Sequence, residues 1–351
     1  MSALGRLPRW FLRRHYRARL LELGIQDLAS GGEAYSLLQR WTVNAARSIS
    51  SALAISRSSA AHNLAATEPD GIPFVILGMG RLGLSEFDLA SDADLVFVAG
   101  WGPQRENMER WTHLAEKTIE VLSSYTQDGT IFPVDTRLRP RGQEGELVVT
   151  LEELSTYIAE HAQPWELLTY LKAHPLAGDR KLGRAVVERL QAAIDHRLSA
   201  FQDFEGELHQ MRRRLEREVA GPGANTKTAP GGYYDVDFAV SYTRLRRRIR
   251  TMPGANMAEQ ISALRAADAI SAEDAAALAR GAAFLRSLDH ILRLVTGKVP
   301  NGLPETEALA ETAESLARKW KLIPEGQALA AHLNETQQSL RYIYRRLTGS
   351  E

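Results

Sequence analysis

The stretch GMGRLGLSEFDLASDADLVFVAG, residues 78–100, places a glycine-rich turn and two aspartates directly before a strongly apolar run. The run Leu95–Val98 is typical of a buried strand, and moving ionised carboxylates out of water beside such a strand costs solvation free energy. Asp92 and Asp94 are two residues apart, and side chains at that spacing in a strand lie on the same face. Two like charges on one face are unfavourable unless a cation lies between them or one is protonated. The stretch therefore predicts a cation site or an open cleft where this strand begins.

Short runs of β-branched and aromatic residues, bounded by glycine or proline, surround this stretch and predict further strands. The predicted strands cover residues 72–78, 94–100, 130–140 and 145–150. Helical spacing predicts a helix over 103–129, with Pro103 near its start and Gly129 after its end. Residues 73–150 are therefore expected to form a small mixed sheet with an associated helix.

Apolar residues at helical spacing predict helices on both sides of this unit. They fill residues 1–68 and nearly everything from 151 onward, with a break at the glycine- and proline-rich segment 221–232. The sequence thus predicts an α+β fold, in which a small mixed sheet is embedded in a mostly helical chain with a C-terminal helical bundle. We expect a helical N-terminal segment over 1–68, a domain that contains the sheet over 69–235 and the bundle over 236–351.

The charge balance and the absence of cysteine exclude several classes of protein. The 351 residues include 43 basic and 43 acidic side chains and no cysteine. Zero net charge argues against nucleic-acid binding, and we interpret the basic run 243–250 as a solvated face or a contact for an acidic partner. Disulfides and thiolate metal sites are excluded. No apolar run approaches the roughly 20 residues of a membrane span, and the basic N-terminus lacks a secretory pattern, so we expect a cytoplasmic protein that does not bind membranes.

The histidines show no metal-binding spacing. None of the nine belongs to a close pair or to a His-Glu-x-x-His motif. We therefore expect His113, His174 and His290, which lie in helical patterns, to be packing or surface residues.

A third acidic residue follows in the next predicted strand along the chain. Asp135 lies in the segment 130–140, and if that strand neighbours the one after Asp94, the three carboxylates form one cluster. Oxygen ligands suit a hard cation such as Mg²⁺, which binds one or two carboxylates together with substrate phosphates. A cluster of three can hold two metal ions that activate an attacking oxygen and stabilise leaving pyrophosphate.

Glycines and arginines near the aspartates fit a phosphate-bearing substrate. The turn glycines leave backbone N–H groups uncovered by side chains, and guanidinium groups suit phosphate oxygens. The residues in question are Gly78, Gly80, Gly83, Arg81, Arg137 and Arg139. The spacing is not that of a Rossmann or Walker loop, because no clear helix start, ribose-binding acid or Gly-Lys-Ser/Thr follows. The order of strand, glycine turn, Ser-Asp-x-Asp, strand, helix and strand with Asp predicts a nucleotidyltransferase centre.

The motifs resemble those of the glutamine synthetase adenylyltransferase family. The resemblance covers about residues 10–345 and rests on four segments in the family's order: GMGRLGLSEFDLASDADLVFV, VDTRLRPRGQEGELVVTLEELSTYI, WELLTYLKAHPLAGD and TKTAPGGYYDVDFAVSY. It implies one half of a two-part enzyme, with a polymerase-beta-like nucleotidyltransferase domain in helical surroundings. In that family one half adds AMP to a tyrosine of glutamine synthetase and the other removes it by phosphorolysis.

The resemblance also implies roles for individual residues. Asp92, Asp94 and Asp135 match metal-binding aspartates. Matched to nucleotide binding are Gly78, Gly80, Gly83, Ser91 and, in a later segment near the active site, Lys227, Asp235 and Asp237. Two positions depart from the family's usual pattern. The loop reads Arg81-Leu82-Gly83-Leu84 instead of Lys-Leu-Gly-Gly, and the later segment reads Val236-Asp237-Phe238 instead of Ile-Glu-Phe.

The resemblance implies a Mg²⁺-dependent enzyme that uses ATP and acts on glutamine synthetase. VDTRLRP and the GGYYDVDF segment are more like the adenylylating half, in which Asp92 and Asp94 bind both metals and Asp135 binds the catalytic metal and helps to deprotonate the tyrosine. Two alternatives stay open. One is phosphorolytic removal of AMP, and the other is a half that has lost catalysis and senses a nucleotide or a signalling protein of the PII type.

Overall fold

The computed structural model of the chain describes residues 6–61, 73–100, 105–218 and 225–350. Within these ranges the chain forms thirteen α-helices and five strands. Helices dominate and the strands form one small mixed sheet, so the predicted α+β class is confirmed.

The sheet joins strands that lie far apart in sequence. The strands are β1 (Phe74–Gly78), β2 (Ala93–Ala99), β3 (Val134–Asp135), β4 (Val148–Thr150) and β5 (His174–Gly178). β1 pairs antiparallel with β2 on one side and with β5 on the other. β3 and β4 pair in parallel with β2, β3 at its beginning and β4 at its end. The first residues of β2, Ala93 and Asp94, are thus held by β3, and the pairing with β1 begins at Leu95.

Burial follows from this order. Every residue of β1 is buried, and Asp94 is the one position in β2 that is not fully buried. The β-branched and aromatic residues of both strands suit a sheet covered on both faces. Phe74, Ile76 and Phe97 share one buried cluster with the apolar faces of the helices that flank the sheet. The carboxylate of Asp94 therefore marks the place where the buried sheet opens.

The described residues form two compact units. The first comprises the described parts of 1–23, 40–87 and 91–197, and the second those of 24–39, 88–90 and 198–351. This division follows spatial contacts rather than chain order, so the three-segment organisation predicted from the sequence stays a prediction.

The helices of the N-terminal region and of the first unit include one very short turn. They are α1 (Arg6–Ser30), α2 (Ala34–Ala61), α3 (Gly80–Gly83), α4 (Arg105–Ser123), α5 (Leu151–Glu160), α6 (Pro164–Tyr170) and α7 (Arg180–Ala200). Residues 24–39, which join the end of α1 to the start of α2, cluster with the second unit. Thr150 ends β4 and caps α5 in a reciprocal capping box with Glu153, which fixes where strand changes to helix.

The second unit is helical in its described residues. Its helices are α8 (Phe204–Glu218), α9 (Tyr233–Arg247), α10 (Met257–Ala266), α11 (Ala272–Thr296), α12 (Glu307–Lys319) and α13 (Leu329–Thr348). α11 packs against α10, α12 and α13, and α13 also packs against α9. These contacts confirm the helical character predicted for the C-terminal region.

Three local predictions were wrong. HPLAG at 174–178 forms the strand β5 rather than the end of a helix, so His174 lies in a strand. The strand predicted over 130–140 is only two residues long, because Pro133 before it cannot donate to a ladder and the chain turns at 137–140 after it. The glycine turn forms the single helical turn α3, which ends at Gly83, and no helix follows it directly. The helix predicted from 151 breaks between α5 and α6, and α6 restarts with Pro164 in its first turn.

Every helix in the described ranges is too short or too polar to span a bilayer.

Candidate active site

The beginning of β2 brings two of the predicted aspartates into register. In the parallel pair of β2 and β3, Asp94 lies opposite Asp135, and Ala93 lies opposite Val134. The strand adjacency that the three-carboxylate prediction required is therefore present. Asp92 lies just before β2 and is exposed, whereas Asp94 and Asp135 are partly buried. The three residues thus lie at one end of the sheet, in two neighbouring segments.

Arg137 binds Asp135 closely. Its guanidinium Nε donates to both carboxylate oxygens at 3.0 and 2.8 Å, and Nη2 donates to Oδ2 at 2.5 Å. Its backbone N–H donates to Oδ1 at 2.8 Å. The hydrogen bond from the Arg137 side chain is the main reason that the pKa of Asp135 lies below its ordinary value. Asp135 is therefore ionised at neutral pH.

All three carboxylates act on Arg137. The pKa of Arg137 is raised chiefly by its hydrogen bond to Asp135 and, to a smaller extent, by the charges of Asp94 and Asp92. The Arg137 side chain is two-thirds exposed, so a positive charge that solvent can reach lies beside the three aspartates. A cation and an exposed guanidinium can compete for the same carboxylate oxygens.

The donor chemistry fits Mg²⁺, although the side chains are not gathered around a metal position. Three carboxylates supply the hard oxygen ligands that Mg²⁺ prefers, and β-sheet register holds the backbone of Asp94 beside that of Asp135. In the described ranges no three carboxylate, imidazole or thiol groups are arranged as they would be around a metal ion. The bidentate contact with Arg137 explains part of this, because it turns the Asp135 carboxylate toward the guanidinium.

Gly80 makes room for the Asp94 carboxylate. Its φ is +53°, a left-handed conformation that glycine adopts without strain. A Cβ at this position would collide with Oδ2 of Asp94. The backbone N–H of Met79 donates to the Asp94 carbonyl at 2.9 Å, which also holds the turn against β2. Gly80 therefore brings the predicted nucleotide turn into contact with a predicted metal ligand.

The other two glycines of the turn are needed for packing. A Cβ at Gly83 would collide with the Lys172 carbonyl, and one at Gly78 would press on the Leu176 side chain. Both neighbours lie in the segment that includes β5. These glycines permit the close approach of backbone segments, and their role in nucleotide binding stays a prediction.

The remaining residues predicted for nucleotide binding in the first unit have different surroundings. Ser91 is buried. Nε of Arg81 donates to the Glu86 carbonyl at 2.8 Å. Arg139 donates to the carbonyls of Thr136, Gln143 and Gly145 at 2.9–3.0 Å, and so closes the loop between β3 and β4. The side chain of Arg137 is bound to Asp135, a predicted metal ligand.

Lys227, Asp235 and Asp237 belong to the second unit. Asp235 is fully buried, where it accepts from Nε of Arg212 at 2.7 Å, from the Gly231 N–H at 2.6 Å and from Arg341 at 3.1 Å. These contacts give Asp235 a visible role in holding the turn before α9. Lys227 is exposed, with Nζ 5.3 Å from the centre of the Tyr234 ring. Asp237 accepts from the Ser241 hydroxyl at 3.2 Å.

Sequence reasoning missed two buried or half-buried tyrosines, one of which supports the loop between β3 and β4. The hydroxyl of Tyr170 donates to the Leu138 carbonyl at 2.7 Å, between the two loop arginines. The hydroxyl of Tyr157 donates to the buried Glu166, which also caps α6. Burial is the main cause that raises the pKa of Tyr157, to about 12. The Gln163-to-Glu166 spacing, typical of a capping box, was a signal that Glu166 lies at a helix start.

Two family models match the chain in overlapping segments. A model described as "Glutamate-ammonia ligase adenylyltransferase" matches residues 9–216. A model described as "GlnD PII-uridylyltransferase" matches residues 181–348. The first match includes the whole sheet and the three aspartates, and the second includes most of the helices of the second unit.

Curated relatives match nearly the whole chain. The protein named "Bifunctional glutamine synthetase adenylyltransferase/adenylyl-removing enzyme" of Mycobacterium tuberculosis strain H37Rv is 34% identical over 327 residues, which are 91% of this chain and 32% of the relative. The protein of the same name from Streptomyces coelicolor is 31% identical over 307 residues, which are 85% of this chain and 30% of the relative. The chain thus spans about a third of the length of these relatives.

Proposed function

The chain belongs to the glutamate-ammonia ligase adenylyltransferase family, and from this premise we propose that it transfers AMP from ATP to a tyrosine of glutamine synthetase in a Mg²⁺-dependent reaction. The observation that carries the proposal is the register of Asp94 with Asp135, next to Asp92, at one end of the sheet. A nucleotidyltransferase needs such a carboxylate cluster beside a phosphate-binding turn.

Asp92, Asp94 and Asp135 would hold Mg²⁺. The bound ions would supply charge stabilisation for the phosphates and lower the pKa of the attacking hydroxyl. Asp94 is suited to this role because the absence of a Cβ at Gly80 leaves space for its carboxylate. Asp135 is suited because its lowered pKa keeps it ionised. A carboxylate with a lowered pKa is a weak base, so Asp135 serves better as a ligand than as the main acceptor of the tyrosine proton.

Arg137 would bind the ATP phosphates. Its guanidinium is exposed and within hydrogen-bonding reach of the carboxylate cluster, and its fork geometry suits phosphate oxygens. In the reaction, the tyrosine oxygen forms a bond to the α-phosphorus while the bond from that phosphorus to the β-bridging oxygen breaks. Pyrophosphate leaves, and the tyrosine proton passes to a nearby carboxylate or to water. Arg137 would stabilise the charge that the pyrophosphate carries away.

A radiolabel transfer assay tests the proposal. The full chain is incubated with unmodified glutamine synthetase, Mg²⁺ and ATP labelled at the α-phosphate, and label on the synthetase and released pyrophosphate are measured. We expect label on a synthetase tyrosine with the wild-type chain. Asp92→Asn, Asp94→Asn and Asp135→Asn should each reduce transfer by about two orders of magnitude or more, since each removes a ligand charge from the site.

The partly buried Asp195 on α7 offers a control. Asp195→Asn makes the same chemical change outside the acidic cluster and should leave transfer unchanged. Transfer that persists in Asp94→Asn would contradict the proposed chemistry. Nucleotide binding without pyrophosphate release in the wild-type chain would instead identify the chain as a sensing half.

Phosphorolytic removal of AMP is the second candidate. The names of the relatives combine an adenylyltransferase with an adenylyl-removing enzyme, and this chain spans about a third of their length. The same acidic cluster would suit this reaction, in which an oxygen of inorganic phosphate forms a bond to the α-phosphorus while the bond from that phosphorus to the tyrosine oxygen breaks, so that ADP and the free tyrosine are released. Incubation of AMP-modified glutamine synthetase with the chain and inorganic phosphate would release ADP if this candidate is correct.

We further propose a PII-type signalling protein as a regulatory partner. The match of residues 181–348 to a PII-uridylyltransferase model supports this partner. Co-purification of the chain with a PII protein, tested with and without ATP, checks the proposal. We expect the interaction to survive Asp94→Asn, because Asp94 lies outside the matched segment.

A further inference from the structure

A buried histidine of α11 lies between two carboxylates. Nδ1 of His290 lies 2.6 Å from Oδ1 of Asp88, and Nε2 lies 3.1 Å from Oδ2 of Asp27. All three side chains are at most 1% exposed. All three belong to the second unit, in which Asp88–Ala90 is a three-residue segment between two stretches of the first.

Arg293, one helical turn further along α11, holds the same segment by its backbone. Its Nη1 donates to the Leu89 carbonyl at 2.5 Å, and its Nε donates to Asp289 at 2.9 Å and lies 3.7 Å from Asp88. The backbone N–H of Leu89 in turn donates to Asp88 at 2.6 Å. The segment Asp88–Ala90 is thus held through both a side chain and the main chain.

Burying these charged side chains contributes little net free energy to the stability of the fold. Desolvating several charged groups costs free energy that apolar packing would avoid, so buried ion clusters are weak stabilisers. What they provide is a single geometry, since each group has few alternative partners in the interior. The backbone of Ala90 also indicates that the segment is tightly held. Its φ is +57°, a left-handed conformation that a non-glycine residue keeps only when its surroundings impose it.

The segment leads directly into the candidate active site. Ala90 is joined to Ser91, and Asp92 and Asp94 follow within four residues. Asp92 lies before β2, so the strand ladder does not fix it as it fixes Asp94. The conformation of the chain at Asp88–Ala90 therefore limits the directions in which Asp92 can point.

We propose that His290 and Arg293 are positioning residues, which fix the segment Asp88–Ala90 and thereby hold Asp92 where it can bind a divalent cation. This inference rests on the proposed function, since it assumes that Asp92 and Asp94 are metal ligands. Neither His290 nor Arg293 contacts the cation in this account. They act in the way that outer residues orient the ligands of a metal site.

Removing each of the two carboxylates that contact the His290 imidazole distinguishes a positioning role from a purely stabilising one. Asp88 belongs to the held segment, whereas Asp27 contacts the opposite ring nitrogen from the end of α1. Asp88→Ala and Asp27→Ala each remove one carboxylate from the same histidine, so they are matched in burial and charge. Asp88→Ala removes a contact of the segment Asp88–Ala90 itself, whereas Asp27→Ala removes a carboxylate that lies outside that segment.

The test is Mn²⁺ binding to the full chain, measured by electron paramagnetic resonance of free Mn²⁺, without nucleotide or acceptor. The relevant affinity is that of the Mn²⁺ site that is lost in Asp94→Asn. We expect Asp88→Ala to weaken Mn²⁺ binding at this site by about tenfold or more, the range typical when an outer residue of a metal site is removed. Asp27→Ala should leave the Mn²⁺ affinity within about twofold of the wild type, because Asp27 is not part of the segment that leads to Asp92. Amide hydrogen exchange at residues 89–92 should rise in Asp88→Ala and stay unchanged in Asp27→Ala.

Asp88→Asn covers the case in which the alanine variant does not fold. It keeps an oxygen acceptor for His290 and should give an intermediate loss of affinity. Gln260→Leu is a stability control, because it removes a buried hydrogen bond to Arg244 elsewhere in the second unit; it should lower the unfolding midpoint without changing Mn²⁺ affinity.

Two results overturn the positioning role. One is wild-type affinity in folded Asp88→Ala or Asp88→Asn, and the other is an equal loss in Asp27→Ala. Failure of the proposed function looks different. If the wild-type chain binds no Mn²⁺, or binds it equally well in Asp94→Asn, the metal site itself is absent and both proposals fall.

Discussion

At the scale of single residues, the Arg137 guanidinium can bind either Asp135 or a phosphate of the proposed substrate. Its guanidinium forms a bidentate contact with Asp135, and in the proposed reaction the same guanidinium binds a phosphate. The two contacts exclude each other, since one planar fork serves one oxyanion at a time. Binding of ATP and a cation would therefore release Asp135 from Arg137.

Arg137→Ala is expected to change cation and nucleotide binding in opposite directions. Without nucleotide, Mn²⁺ should bind several-fold more tightly, because a competing positive charge has gone. With nucleotide, the KM for ATP should rise about tenfold, because a charge-assisted contact to phosphate is lost. Calorimetry and steady-state kinetics measure the two effects. Arg184→Ala, an exposed change on α7, is the control, and a parallel fall in both affinities would contradict the competition.

Gly80 allows a test of the contact between the turn and Asp94. Gly80→Ala is expected to abolish Mn²⁺ binding, because the new Cβ displaces the Asp94 carboxylate. Gly297→Ala is a matched control: Gly297 also has positive φ, +68°, but a Cβ there would meet nothing within 4 Å. Both changes carry the backbone strain of about 1–2 kcal/mol for a left-handed alanine. Equal Mn²⁺ affinity in the two variants would show that the Gly80 position matters only for backbone strain.

The candidate site was partly predictable at this scale. The spacing of Asp92 and Asp94 before an apolar run and the acid in the next strand predicted a carboxylate cluster on the condition that the two strands are neighbours. β3 does pair with β2, but the sequence did not predict the register of Asp94 with Asp135. The buried contacts of Asp235 were not predictable, because its partners Arg212 and Arg341 lie 23 and 106 residues away. A motif shows the type of residue, but burial depends on distant parts of the chain.

At the scale of elements, α11 carries charged groups on a buried face. Burial by itself would lower the pKa of His290, but the facing Asp88 and Asp27 outweigh it and raise the pKa from its ordinary 6.5 to about 9. Arg293, whose Nε lies 3.7 Å from Asp88, and the Trp320 ring, with its centre 6.0 Å from that of the imidazole, also lie beside this group. The histidine is therefore charged in the folded chain at neutral pH.

The stability of the chain should fall as pH rises through this range. A raised pKa in the folded state contributes stability that is fully present below pH 6.5 and is lost as pH rises through about 9. The contribution is at most about 3 kcal/mol. Urea unfolding between pH 6 and 10 measures it as the difference between the wild type and His290→Gln, whose curve lacks this dependence. Parallel curves for the two proteins would show that His290 does not titrate in this range.

The strands show which elements a sequence pattern identifies. β1, β2 and β4 were predicted, because their apolar, β-branched runs are buried in the sheet. β5 was missed because its residues are half-exposed and lie at the edge of the sheet, where burial imposes little pattern. His290 was expected to be a packing or surface residue; it is buried, but its ion pairs join parts of the chain about 200 residues apart or more. No local pattern encodes such contacts.

At the scale of the whole molecule, the account predicts that Mg²⁺ and ATP stabilise the chain together. A ligand that binds only the folded state raises its stability by mass action, by about 2.7 kcal/mol at a concentration 100 times its Kd. Mg²⁺ and ATP together should raise the thermal unfolding midpoint of the wild type. Mg²⁺ alone or ATP alone should raise it less. Asp94→Asn should lose most of this shift, whereas Asp195→Asn should keep it. An undiminished shift in Asp94→Asn would place the binding elsewhere in the chain.

The most direct test of the acidic cluster is anomalous X-ray diffraction from crystals of the full chain grown with Mn²⁺ and a non-hydrolysable ATP analogue. We predict anomalous peaks within about 2.5 Å of carboxylate oxygens of Asp94 and Asp135, with Arg137 turned from Asp135 to a phosphate. A nucleotide bound without Mn²⁺ at these aspartates, and with Arg137 still paired to Asp135, would contradict the account.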